Sequence, residues 1–193
     1  MLRLYEKYLE AVDEYLEKCF SGQKPFIKCS VGCANCCEIG EYPISRLEME
    51  YLMEGFLSLP LSVKNEIKAN IRKMLAQKAK NKGRFLHRCP FLSSEKRCFI
   101  YERRGIICRA HGLAYFEEVG GQKVVKLPEC SRMGLNYSET FDGESVSMER
   151  FKAFGVDSPI KHPLDLNFFE KDLLKGFAGI EFGEVRPMLE WFN

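Results

Sequence analysis

The order of the cysteines constrains this chain more than any other feature. Nine occur in 193 residues, and eight of them read Cys29-x3-Cys33-x2-Cys36-Cys37, then Cys89-x8-Cys98-x9-Cys108, then Cys130. A C-x2-C spacing, as in Cys33 and Cys36, lets a tight turn aim two thiolates at one ion while nearby N–H groups bond to the sulfurs. Adjacent residues of an extended chain point to opposite sides, so Cys36 and Cys37 do not simply share one mononuclear site. Two sites, or one polynuclear cluster, follow more naturally, and the count leaves the partition open. Soft thiolates select both zinc and iron–sulfur clusters, so ligand identity alone does not separate the two; the cluster is the preferred expectation and zinc the alternative. The chain is far larger than the small secreted scaffolds that depend on disulfides, and an odd number of thiols argues against complete pairing.

Compartment decides what such thiols mean. Glu6, Lys7, Glu10, Asp13, Glu14, Glu17 and Lys18 interrupt any apolar run at the N-terminus, so no signal peptide is expected. No later stretch approaches the roughly 18 apolar residues of a membrane helix. The expectation is a cytoplasmic protein without membrane contact, its thiols kept reduced. With 46% hydrophobic and 29% charged residues, the composition suits a folded core and excludes a disordered chain.

Charge is distributed unevenly: residues 1–61 carry a net −4, residues 62–138 a net +11 and residues 139–193 a net −5. Between Ser62 and Arg88, Lys64, Lys68, Arg72, Lys73, Lys78, Lys80, Lys82, Arg84 and Arg88 face the single acid Glu66. A solvated helix face balanced by acidic flanks accounts for this; an anionic partner is the other reading. Nucleic acid is the weaker form of that reading, because no aromatic side chains are interleaved there for base stacking.

Leu4, Tyr8, Val12, Tyr15, Leu16 and Cys19 fall at helical spacing and predict an amphipathic helix ending near Ser21-Gly22. Cys19 reads as a small buried hydrophobe on its apolar face. Residues 23–43 read as a loop. Ser45 and Glu48 form a capping box for a second helix that runs toward Pro60. Ser62 is expected to cap a third helix that carries Val63, Ile67, Ile71, Met74 and Leu75 and stops near Gly83. Gly120-Gly121 between the runs 113–119 and 122–127 predicts a hairpin. Further helices are expected over 148–154, 165–177 and 184–192, with Pro187 in a first turn. The fold class is α+β and mainly helical: a single domain, residues 1–193, with helices packed around a cysteine-ligated metal site and a small antiparallel β-hairpin.

The run Cys29-Ser30-Val31-Gly32-Cys33-Ala34-Asn35-Cys36-Cys37, the steps Cys89-Pro90-Phe91-Leu92 and Cys98-Phe99-Ile100-Tyr101, and the segment from Arg104-Gly105 to Cys108-Arg109 form an ordered set. Together they resemble the zinc- or iron-chelating cysteine-cluster (CxxCC) family, often called YkgJ-like, over about residues 29–130. With the spacing, the resemblance implies metal or iron–sulfur binding on Cys29, Cys33, Cys36, Cys37, Cys89, Cys98, Cys108 and Cys130. That family commonly has Arg-Pro where this chain has Arg104-Gly105, which implies a looser turn before Cys108. If the metal is an iron–sulfur cluster, redox chemistry is expected; a related cysteine cluster in a flagellin lysine N-methylase implies methyl-transfer chemistry as well. No Gly-rich nucleotide loop supports methyl transfer, and whether the chain is an enzyme is left open.

Around the cysteines, His87 and His111 have ligand-like spacing, but with eight thiols at hand they read as supporting or surface residues. Arg104 and Arg109 bracket Cys108, placed either to offset thiolate charge or to form surface ion pairs. Tyr101 could donate to a sulfur or simply pack, and His162 reads as loop surface. The competing function is a structural-zinc interaction module whose basic 62–88 segment meets an acidic partner or nucleic acid.

Overall fold

A computed structural model describes residues 1–30, 32–141, 147–153 and 162–193. In chain order its regular elements are α1 (Leu2–Gly22), α2 (Asn35–Glu38), β1 (Pro43–Ser45), α3 (Arg46–Ser58), α4 (Leu61–Lys78), α5 (Ile106–Ala110), β2 (Tyr115–Val119), β3 (Gln122–Lys126), α6 (Met148–Ala153), β4 (Leu164–Asp165) and β5 (Val185–Pro187), with short 3-10 turns between them. The expected mainly helical α+β class is what they form. Among the described residues no helix is long and apolar enough to cross a membrane.

Two compact units share the chain, one built mainly from Arg3–Val31 and Arg109–Ile180, the other from Gly32–Cys108 and Glu181–Asn193. In the first, α1 buries Tyr8, Val12, Leu16 and Cys19 of the predicted apolar face together with Tyr5 and Leu9, while Leu4 and Tyr15 are half-buried. Its aromatic residues meet the segment after β4: Tyr15 lies 4.9 Å from Phe168 and Tyr8 6.4 Å from Phe169 between ring centroids. The predicted hairpin is β2–β3, paired from Tyr115–Lys126 to Val119–Gln122. Gly120 and Gly121 take φ values of +59° and +80°, which side chains with a Cβ adopt only at a cost. β4 adds a parallel partner to β2.

That pairing takes only the first residue from the helix expected over 165–177. Leu164 and Asp165 are extended, Asp165 Oδ1 accepts from the Asn167 and Phe168 N–H groups, and from Leu166 the chain is helical, passing into a π turn over Phe168–Asp172 and a 3-10 turn over Leu174–Phe177. The helix expected at 148–154 is α6, whose last expected residue lies outside the described residues.

The second unit buries Ile44, Leu52, Phe56, Ile67, Phe91, Leu92, Ile100 and Met188 in one core. The capping box is present as read: Ser45 Oγ accepts from the Glu48 N–H, and the Glu48 carboxylate accepts from the Ser45 N–H at 2.9 Å. α4 departs from expectation at both ends. Pro60, with φ −57° and ψ 149°, precedes its first residue and presets the entry; Ser62 sits inside the first turn without capping, and the helix stops at Lys78 rather than near Gly83. Residues 184–192 are not a helix. β5 pairs antiparallel with β1, and a 3-10 turn, Met188–Phe192, follows. The ladder wins because Pro187 is extended (ψ 135°) and the flanking Arg46 and Met188 N–H groups donate to Glu184 and Tyr42 carbonyls at 2.8 Å each.

Candidate metal centre

In the second unit the cysteines sit on short, locally enforced turns. Ala34 caps α2, its carbonyl accepting from the Cys37 and Glu38 N–H groups. Helical rather than extended geometry brings the sulfurs of Cys36 and Cys37 to 3.9 Å, so these adjacent side chains do not diverge as they would on a strand. The chain leaving α2 is then zipped to the next cysteine segment: Gly40 and His87 exchange hydrogen bonds of 3.0 and 2.9 Å, and the Cys89 N–H donates to the Cys37 carbonyl at 2.7 Å.

Cys89-Pro90-Phe91 and Cys98-Phe99-Ile100 repeat one device. In each, the N–H two residues on, that of Phe91 or Ile100, donates to the cysteine sulfur. Phe91 (1% exposed) and Ile100 (4%) are core residues, so burying the third side chain fixes the amide against the sulfur. The Phe99 N–H donates to the Phe91 carbonyl at 2.9 Å and ties the two turns together. Hydrogen bonds of this kind stabilise sulfur in its anionic, ligating form.

Cys108 lies on α5, whose start is held by Glu48. One carboxylate oxygen serves Ser45, accepting from its N–H and its hydroxyl (2.7 Å); the other accepts from the Ile106 N–H at 2.9 Å. Gly105 is buried between Glu48 and Ile44, where a Cβ would come within 3.0 Å of a Glu48 oxygen. Glu48 thus anchors the turn whose Arg104-Gly105 sequence implied looseness.

Burial, the Coulomb field of neighbouring thiols and, at Cys36, hydrogen bonding act together on these groups. Burial, then Cys108, Cys98 and Cys36, push the Cys89 thiol up; burial, then Cys98 and Cys36, push Cys108 up to about 12. Cys36 is raised first by its hydrogen bond with Cys37 and then by burial. Burial likewise raises Cys98. Arg104 opposes the rise at Cys36, Cys98 and Cys108. Cys36, Cys89, Cys98 and Cys108 therefore form one electrostatic neighbourhood, costly to ionise alone and stabilised as thiolates by a cation. The donor set fits a thiophilic metal: four sulfurs, two with amide donors, and a guanidinium to balance charge. Among the described residues no three His, Cys, Asp or Glu side chains converge to ligating distance, so the sulfurs are neighbours rather than a closed coordination shell.

Cys33 belongs to the same unit, exposed, with the Asn35 amide 3.7 Å from its sulfur. Cys29 and Cys130 belong to the other. Asn136, fully buried, donates to Cys29 Sγ at 3.1 Å and to the Gly112 carbonyl at 2.7 Å, while its own carbonyl accepts from the Lys28 N–H at 2.8 Å. Cys130 is buried on a 3-10 turn, Glu129–Met133, and both thiols lie within electrostatic reach of Tyr137. Cys19 is buried on α1, as read.

The surrounding residues separate by role. Arg104 lies 3.9 Å over the Tyr101 ring and acts on the thiols, whereas Arg109 pairs with Asp13. Tyr101 is exposed. His87 is buried, its Nδ1 2.8 Å from the Arg88 carbonyl, stacked on Phe85 and edge-on to Tyr42, and burial lowers its pKa. Burial also lowers that of His111, and His162 is exposed. Sequence reasoning missed three contributors. Tyr42 donates to the Cys36 carbonyl at 2.9 Å and has its pKa raised by burial and then by Cys89, Cys37, Cys36 and Cys108. Glu48 was read only as a cap, and Asn136 gave no local signal.

The family model described as "Putative zinc- or iron-chelating domain" (CxxCxxCC) matches residues 28–131. No curated protein and no solved structure matches the chain.

Proposed function

Because the chain belongs to the zinc- or iron-chelating CxxCxxCC family, we propose that Cys36, Cys89, Cys98 and Cys108 of the second unit hold one metal centre, with an iron–sulfur cluster preferred over zinc. The observation that supports this most is the pair of Cys-x-apolar turns in which the Phe91 and Ile100 amides donate to sulfur. Buried thiols without a cation gain little from such donors; thiolates gain both charge stabilisation and fixed orientation. Cys37 and Cys33, in the same unit, are further sulfurs for a polynuclear centre. Cys29 and Cys130 belong to the other unit, and we assign them no share in this centre.

A cluster would supply one-electron redox chemistry there, whereas zinc would supply a structural cross-link. The chain's own residues do the rest. Arg104 offsets thiolate charge, Tyr42 holds the α2 turn through the Cys36 carbonyl, and Glu48 fixes the segment bearing Cys108. Redox work in the cytoplasm is the reading that suits reduced, ligated thiols. Gly120 and Gly121, the glycine pair on which a nucleotide loop could draw, serve the hairpin turn instead, so methyl transfer has no support from them. Anaerobically purified protein is expected to be coloured and to contain iron and acid-labile sulfide. Colourless protein with stoichiometric zinc would overturn the cluster and leave the structural-zinc reading.

A further inference from the structure

α4 is an 18-residue helix that fully buries only Ile67 and Met74. Much of the rest of its surface is basic. Lys78, Arg84 and Arg88 find acids in Glu190, Glu41 and Glu38. Lys68, Arg72 and Lys73 on the helix, and Lys80 and Lys82 beyond it, are exposed and make no ion pair with any described residue. Lys64, Lys68 and Arg72 succeed one another at i, i+4, i+8 and so lie along one stripe.

Beside that stripe, within the same unit, is a cleft of about 130 Å³ lined by Met53, Phe56, Lys68, Ile71, Phe91 and Phe192. Its walls are hydrocarbon, Lys68 contributing its aliphatic stem while its ammonium remains outside. The volume suits one phenyl ring or branched aliphatic side chain, since an apolar cavity of about 150 Å³ accepts benzene. It has no polar wall atom to pair with the edge of a nucleobase, which would lose its hydrogen bonds on entry.

We propose that this cleft and the Lys68–Arg72 stripe form a docking site for an acidic protein segment. One aromatic or leucine side chain fills the cleft, and flanking carboxylates meet Lys68 and Arg72. The charge of the face favours an acidic partner over a basic or neutral one, and the apolar cleft demands more than a polyanion. The site does not depend on the metal assignment.

The test is fluorescence anisotropy on the full chain with a labelled peptide of about 12 residues, glutamate and serine around one central phenylalanine. Binding is expected to weaken with salt and to fall about tenfold when the peptide's phenylalanine is replaced by serine. The double variant Lys68→Glu/Arg72→Glu, at exposed positions, should keep the helicity of the parent by circular dichroism and lose about tenfold in affinity. Lys80→Glu/Lys82→Glu should stay within about twofold. Any of four results would overturn the proposal: no binding, equal affinity for the peptide lacking phenylalanine, equal loss in both double variants, or tighter binding of a single-stranded RNA of the same length. Self-association of the chain abolished by the Lys68→Glu/Arg72→Glu change would overturn it too, by assigning the face to a second copy.

Discussion

Serine in place of Cys89 or Cys108 nearly preserves side-chain size and removes the soft donor, so it separates packing from ligation. Either substitution is expected to abolish metal uptake and to cost metal-replete protein more than about 4 kcal/mol in urea unfolding, because metal binding is coupled to folding. Cys19→Ala should leave metal content unchanged and cost about 1 kcal/mol, the loss of a small buried group from α1. Cys29→Ser is expected to leave the metal of the second unit in place. Unchanged metal content in the Cys89 variant, or its loss in the Cys29 variant, would break the assignment. At this scale the sequence already disclosed which residues carry sulfur and that Cys19 stands apart. It could not disclose partners distant in sequence: Asn136 reaches Cys29 across 107 residues of chain.

Glu48 links two elements through one carboxylate, and an amide cannot replace it, since one of its two heads would present N–H groups to the donors of Ser45 or Ile106. Glu48→Gln is therefore expected to cost about 2 kcal/mol and to weaken metal binding, while Ser45→Ala, which removes the cap alone, costs about 1 kcal/mol. Comparing urea midpoints and metal affinities of the two variants checks this; equal metal affinity in both would confine Glu48 to capping. In the hairpin, Gly121→Val should lose about 1–2 kcal/mol at φ +80°, read from the thermal midpoint. The cap and the hairpin were legible because each is written in four or five consecutive residues. The stretch 184–192 misled because its helical periodicity competes with a ladder to β1, 140 or so residues earlier, and an extended Pro187 sides with the ladder. The role of Glu48 toward Cys108 was hidden for the same reason: a capping box is local, and its second oxygen is not.

Across the whole molecule, the near-neutral net charge of +2 conceals a basic middle, which meets acids of the flanking segments at Lys78, Arg84, Arg88, Lys96, Arg103, Arg109 and Lys123. The cysteines follow a division of their own: six lie in the unit of Gly32–Cys108 and Glu181–Asn193, three in the other. That division makes the central claim local to one unit and open to a direct measurement. Metal and sulfide content per chain, determined on anaerobically purified protein and on its Cys89→Ser variant, tests it. The account predicts iron with acid-labile sulfide in the parent and loss of both in the variant. A parent that folds with neither iron nor zinc, or a variant that retains the full metal content, would contradict it.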